Sequence, residues 1–322
     1  MNINSMTISQ KDIGAVERKK KNSGKLDWLK FLLPALILVM LFFFLPIIIT
    51  FFISGTDMST ATGFQNWEWV GFGNYERIAN HPDTLKHFWI TISYVAVTLV
   101  FFNVGLSLVI ALLTTHISRQ VGFFFRALWL LPRITPVVVY VMMWRFIAAD
   151  APYGILNQIL IEPLGFETVN WLPYAPFLFI VLVNGFIGAS FGMILFSSAI
   201  ESIPKDLMMS SLVDGSTMLQ RIRYIIIPYI RWPLLFVTTF QTLSLMTSFE
   251  QIMVLTDGAY NTEVWSLWAY HKALSSYSGN LQWGFGTALA AILVSIGIIM
   301  AFVYMRFFKF DELVQEPKIE TL

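Results

Sequence analysis

ESIPKDLMMSSLVDGSTMLQRIRYIIIPYIRWP, residues Glu201 to Pro233, is the one long stretch between the first and last hydrophobic blocks that is both charged and helix-patterned. Pro204 suits the first turn of a helix, where its missing N–H has no intrahelical acceptor to lose. Lys205 to Val213 then form about two helical turns. Asp214-Gly215 is a turn pair, because glycine accepts positive φ without a Cβ clash. Ser216 or Thr217 caps a second short helix running to Ile227, and Pro228 and Pro233 mark the entry to a new apolar run. The stretch reads as helix, tight glycine bend, helix, lying outside the bilayer between two membrane spans. Such a knuckle suits docking into a partner's groove.

Around it the 322-residue chain is 56% hydrophobic and 13% charged, far from the balance of a soluble domain. A net charge of +1 gives no footprint for nucleic acid. With no cysteine there is no disulfide framework and no thiolate metal site. His81, His87, His116 and His271 share no ligand-like spacing, so no metal site is expected. No P-loop is present: Gly24-Lys25 is followed by Leu26 and lacks the earlier glycine. No nucleophile has a base at usable spacing, and no apolar run contains a carboxylate. Catalytic residues and a cofactor are therefore not expected, and proton relays are disfavoured.

Six apolar runs, 31–53, 88–115, 127–148, 176–200, 232–249 and 283–305, are each close to the roughly 20 residues a membrane helix needs. They are continuous rather than alternating, which selects helices over a barrel. The first is too long for a signal peptide and lacks a cleavage site, so it counts as a span. Six spans put both termini on one side. Placing the basic tail 1–30, the 116–126 loop, the 201–231 segment and the C-terminal tail 311–322 in the cytoplasm leaves only Arg77, Lys86 and Lys272 on the outer loops. The same outer loops carry Asp57, Glu68, Glu76, Asp83, Asp150, Glu162, Glu167, Asp257 and Glu263. The positive-inside rule then predicts an all-α integral membrane protein with N and C termini inside and 201–231 cytoplasmic. Trp67, Trp69, Trp171, Trp265 and Trp268 fit an interfacial belt. No fixed-period repeat and no mirrored second half is visible, which weakens an inverted-repeat carrier.

Neutral polar residues recur at helical spacing inside the runs. Asn184, Gly188 and Phe191 share one face of the fourth; Thr238, Gln241, Ser244, Leu245 and Ser248 share one face of the fifth. Small and hydroxyl residues also serve plain helix packing, but Asn184 and Gln241 are costly against lipid and favour a hydrated interior. Arg133 lies between Pro132 and Pro136, about 9–10 Å inside the inner end of its run by helical rise. A charge at that depth is a functional candidate; snorkelling to the inner surface is the competing reading. Arg145 lies close to the outer end, where it snorkels easily.

The knuckle resembles the coupling segment of permease subunits from binding-protein-dependent ABC importers, whose pattern is I-P-x-[DE]-L-x-E-A-A-x-x-D-G-A followed by I-x-L-P. Ile203, Pro204, Asp206, Leu207, Asp214, Gly215, Ile225 and Pro228 match without a gap. Gly71–Ile78, Leu130–Val139 and Val254–Leu274 resemble other landmarks of the sugar-importer branch, and the likeness spans roughly residues 69–310. Met209, Ser210 and Ser211 stand where the family has Glu-Ala-Ala, so Asp206, Asp214, Arg221 or Arg223 must supply any charged contact there. The resemblance implies a type I importer permease in a bacterial cytoplasmic membrane. Its implied partners are a second permease subunit, an ATPase dimer that binds ATP and Mg²⁺, and an external solute-binding protein. It implies that Asp206, Met209, Ser210, Asp214, Gly215 and Arg221 meet the ATPase. Aligned with the family's maltose-importer permeases, it implies sugar contacts at Arg133, Val137, Asn184, Ile187, Gly188, Phe191, Gln241, Ser244 and Leu245. The position of Arg133 is a neutral aromatic in those permeases. A guanidinium there suits a carboxylate or phosphate, so the expected cargo is an acidic oligosaccharide such as an oligouronide. The rivals are a secondary carrier or channel without an ATPase, a membrane scaffold without a substrate path, and a membrane enzyme.

Overall fold

The computed structural model describes residues 30–150, 153–275 and 279–307. The tails 1–29 and 311–322 lie outside the described residues. Two units are distinct, Met1–Ile53 and Ser54–Leu322. Helix α1, Lys30–Ser54, fills the described part of the first and ends one residue beyond it; its 25 residues carry no charge after Lys30. Its apolar side chains are exposed along its length, from Phe31 at 84% to Phe52 at 50%.

The second unit is all helical among the described residues, apart from one isolated antiparallel bridge, Thr56 to Trp69. Its major helices are α2 (Thr84–His116), α3 (Arg119–Ile134), α4 (Val137–Ile147), α5 (Pro176–Glu201), α6 (Lys205–Val213), α7 (Arg231–Thr247), α8 (Trp265–Ala273) and α9 (Trp283–Phe307). Among the described residues four helices, α1, α2, α5 and α9, are long and apolar enough to cross a membrane, and a fifth crossing results if α3 and α4 are one broken span. Helix α7 has 17 residues.

The expected continuous span over 127–148 is not what forms. Helix α3 starts further back, at Arg119, and the chain bends by 100° between α3 and α4. The cause is local. Thr135 precedes Pro136, and the proline ring disfavours the helical region for the residue before it; Thr135 takes φ −74°, ψ 136°. The depth of Arg133 deduced from a straight helix beginning at residue 127 therefore does not hold. The expected 232–249 span also ends early, because Ser248 leaves the helix at ψ 123° and a short helix, Glu250–Leu255, follows.

Helix α5 is the hub. Gly185, Gly188 and Gly192 recur along one side of it, and α2 lies against that side. A Cβ on Gly185 would meet the ring of Phe102 at 2.4 Å, one on Gly188 would meet Asn103 Oδ1 at 2.1 Å, and one on Gly192 would meet the Asn103 carbonyl at 2.6 Å. This is the small-residue contact by which helices approach closely in apolar surroundings, where backbone proximity replaces hydrophobic driving force. The hydroxyl of Ser107 donates to the Ala189 carbonyl across the seam, 2.7 Å. Asn103 and Ser107 straddle the end of a nine-residue π stretch, Thr98–Leu106, in α2. Two apolar clusters extend from the hub. One joins Tyr94, Tyr140, Val141, Ile180, Val183 and Leu245. The other joins Ala111, Phe196, Ile203, Ile226, Ile230 and Val237.

Trp265 and Trp268, expected at the membrane interface, are core residues. They sit three apart on the face of α8 that packs on Phe285, Ala288 and Leu289 of α9, and the Trp265 indole N–H donates to the Leu289 carbonyl, 3.0 Å.

Replacing Gly192 by alanine should lower the unfolding midpoint of the purified protein by the equivalent of about 1–3 kcal/mol, the usual cost of overpacking against backbone. Gly73→Ala, whose new Cβ would find its nearest neighbour at 3.5 Å, should leave the midpoint in place. Equal midpoints for both variants in a thermal melt would contradict the close seam.

Candidate functional site

The knuckle forms as the residues dictate. Helix α6 ends in a Schellman arrangement: the Gly215 N–H reaches the Leu212 carbonyl at 3.0 Å and the Ser216 N–H reaches the Ser211 carbonyl at 3.0 Å. Gly215 holds φ +75°, which any Cβ would oppose. Of the two candidate caps, Thr217 performs the task, in a reciprocal box with Gln220 at 3.3 and 2.8 Å. The second helix then runs on past the expected end through a π stretch, Ile222–Ile226, to Tyr229.

The knuckle is rooted at its base and bare at its tip. Ile203, Ile226 and Ile230 are buried in the cluster with α2 and α5. Asp206, Ser210, Asp214 and Gly215 are exposed, Met209 is 63% exposed, and Arg221 is half-buried with its Nε lacking a hydrogen-bond partner. Sequence spacing did not single out Val213 and Leu219, yet they are 88% and 78% exposed. Val213 and Leu219 leave bare aliphatic side chains on either side of the Gly215 turn. Their apolar character within a charged segment was the available signal.

The nine expected sugar contacts divide into two groups. Asn184, Gly188, Gln241 and Leu245 are buried, and their polar atoms are engaged inside the chain. The Asn184 amide donates to the Tyr94 hydroxyl and to Ser248 Oγ, and Gln241 Nε2 donates to the Gly188 carbonyl at 2.8 Å. These side chains lock α2, α5 and α7 together. Arg133 and Ser244 are exposed; Val137, Ile187 and Phe191 are half-buried. Ser244 is thus turned away from its helix neighbours Gln241 and Leu245.

Arg133 and Phe191 do meet. The guanidinium carbon lies 5.4 Å from the Phe191 ring centroid, within the range where a cation is drawn to a ring face. Phe191 stacks on Phe240 at 4.9 Å, and Phe240 on Phe236 at 6.2 Å. Phe236 and Phe240 are 56% and 47% exposed. A cation and a row of three rings, two of them not foreseen, therefore line an open face. Ring faces of this kind take the C–H side of a sugar, and the guanidinium takes a carboxylate. On α5 the open face follows Ile187, Phe191, Ile194 and Ser198, spaced as one helical stripe.

Two histidines that spacing left unrelated converge on Glu263. His271 Nδ1 lies 2.7 Å from Glu263 Oε1 and its Nε2 lies 3.1 Å from Asp257 Oδ1. His87 Nε2 lies 3.5 Å from Glu263 Oε2, with its ring 4.8 Å from Trp268. The hydrogen bond that His271 donates to Glu263 raises the His271 pKa above 6.5, with burial opposing and Asp257 adding. The cluster ties a turn with left-handed Asp257 and Gly258 to α8.

No family model matches the chain. It is 28% identical over 307 residues to the trehalose/maltose transport system permease protein MalF of Thermococcus litoralis, covering 93% of this chain and 99% of that protein. Its fold matches a chain of a bacterial alginate ABC transporter solved in complex with an alginate pentasaccharide-bound periplasmic protein: TM-score 0.76, 21% identity, 89% of this chain and 96% of that one. A second solved structure, of a bacterial ABC transporter involved in the import of the acidic polysaccharide alginate, gives a TM-score of 0.73 at 20% identity over 92% of this chain and 100% of that one.

The Glu263–His271 contact sets a pH dependence. Folding favours protonated His271, so its stabilisation is complete below the ordinary value of 6.5 and disappears as pH climbs through the raised pKa. The melting midpoint should therefore fall as pH rises from about 6.5 through the raised pKa, and His271→Gln should flatten that part of the profile. A variant with the wild-type slope would exclude this source.

Proposed function

We propose that this chain, whose homologues are permease proteins of ABC sugar transport systems, is one of two transmembrane subunits of an ATP-driven importer of acidic oligosaccharides. Six spans, with α3 and α4 as one broken span and α7 as another, leave both termini and residues 201–231 in the cytoplasm. The distribution of Lys and Arg supports this orientation. The membrane is then the bacterial cytoplasmic membrane, with the outer loops receiving a sugar-loaded binding protein.

The observation that carries the coupling role is the knuckle itself, rooted in α2 and α5 and bare at Met209, Val213 and Leu219. In this reading it seats in a cleft of the ATPase dimer, and closure of the dimer on ATP moves it as a rigid lever. Its buried base passes that motion to the hub helix. Asp206, Ser210, Asp214 and Arg221 supply the polar contacts, in place of the glutamate that Met209 replaces. ATP and Mg²⁺ are bound by the partner, and this chain performs no hydrolysis.

An acidic cargo is supported by Arg133 beside the Phe191, Phe240 and Phe236 rings. Ile187, Val137 and Ser244 complete the accessible contacts. Asn184, Gly188, Gln241 and Leu245 act on the sugar from behind, by holding Phe191 and the α7 face in place, until a rearrangement of the seam exposes them. Both structurally similar transporters are alginate transporters, and alginate is an acidic polysaccharide, which fits the same chemistry.

The test is ATP hydrolysis by the reconstituted complex with its binding protein, stimulated by tetramannuronate and by its carboxyl-reduced counterpart, mannotetraose. Arg133→Gln should lower the response to the acid about tenfold relative to the neutral sugar, the size of one charge-assisted hydrogen bond. Equal loss for both sugars would remove the charge-pairing role.

A further inference from the structure

Arg133 is the last of three arginines placed seven apart on α3: Arg119, Arg126 and Arg133. A seven-residue step drifts only about 20° around a helix, so the three share one stripe, about 10.5 Å apart along the axis. Each faces α5. Arg133 lies over Phe191. Arg126 Nη1 holds the Glu201 carboxylate at 2.7 Å while its Nε donates to the Gly122 carbonyl. Arg119 lines a groove of about 580 Å³ between the two helices, together with Gln120, Arg126, Ser197, Ser198 and Glu201.

Two features mark this groove as a site for an anionic group. Arg119, Gln120 and Arg126 place donors on its wall beside apolar Phe123, Ala127 and Leu130, and its one carboxylate, Glu201, is already engaged by Arg126. The groove is also open above: Leu130 and Ile194, which line it, are one helical turn from Arg133 and Phe191. The stripe of α5 that passes Phe191 thus continues through Ile194 to Ser198.

We propose that Arg133, Arg126 and Arg119 are successive stations for the carboxylates of the transported saccharide, leading from the Phe191 level to the inner rim, with Glu201 as the resident carboxylate displaced at the middle one. This rests on the acidic-cargo reading above. Long-chain anions moving past fixed guanidinium groups exchange one partner for the next, so each carboxylate keeps a positive partner along the passage. Glu201 is also the first residue of the knuckle segment, so its release from Arg126 frees the top of the lever as cargo arrives.

The complete transporter in proteoliposomes tests this, with tetramannuronate as probe and uptake per ATP hydrolysed as readout. Arg119→Gln should lower that ratio about tenfold, as for loss of one charge-assisted contact, and Arg119→Lys should restore most of it. The double variant Arg126→Gln/Glu201→Gln, which removes both charges and leaves none unpaired, should lower it likewise. Wild-type ratios in Arg119→Gln and in the double variant would overturn the stations while leaving the importer reading intact. So would a result in which wild-type uptake requires phosphatidylglycerol in the bilayer and Arg119→Gln abolishes only that requirement, which would make the groove a lipid headgroup site. Wild-type complex that neither hydrolyses ATP in response to tetramannuronate nor takes it up would overturn the acidic-cargo reading first.

Discussion

Helix α5 can occupy the centre of this protein because it lacks side chains at Gly185, Gly188 and Gly192. The constraint is steric before it is chemical. With α2 drawn in against those positions, Asn103 and Ser107 reach the α5 backbone region, and Ser107 bonds to a carbonyl of α5. Gln241 of α7 then takes the Gly188 carbonyl, and Asn184 ties Tyr94 to Ser248. A bundle in an apolar solvent gains little from burying more apolar surface, so contacts of this kind, each modest, must set its geometry. Asn103 sits in the seam with neither amide atom bonded.

The same hub carries the knuckle. Phe196 and Ile200 of α5 share a cluster with Ile203 at one root of the segment and Ile226 and Ile230 at the other. A turn closed by backbone bonds at Gly215 and by the Thr217 box cannot absorb a push by flexing. In the proposed coupling role, force applied at Val213 or Leu219 is delivered to α5 and α2. The arginine stripe of α3 meets the same helix end through Glu201, so the proposed cargo contacts and the proposed lever share one element.

Much of this was legible in the sequence, for identifiable reasons. The knuckle was readable because proline, glycine and capping residues act locally, and its positive-φ turn admits few alternatives. The long apolar runs were readable because lipid demands length. The bend at Thr135–Pro136 was not, since two prolines four apart are compatible with a kinked helix or a broken one, and the extended conformation of Thr135 decides between them. The polar residues of α5 and α7 were found, but periodicity cannot say whether an amide faces a cavity or a neighbouring carbonyl. Asn184 and Gln241 face neighbours. The pairing of His87 and His271 on Glu263 joins residues 176 positions apart, beyond the reach of any local pattern. Trp265 and Trp268 have the composition of an interface and the burial of a core, and only tertiary packing separates the two.

The central claim is that the open stripe of α5, Ile187, Phe191, Ile194 and Ser198, lines a water-filled path for sugar. The chain has no cysteine, so single replacements can be read against a silent background. In the assembled transporter, Ile187→Cys and Ser198→Cys should react with a water-soluble, charged thiol reagent and be protected by tetramannuronate. Val183→Cys and Ala189→Cys, buried in the bundle, should not react. Reaction at the buried pair, or silence at the stripe, would contradict the account.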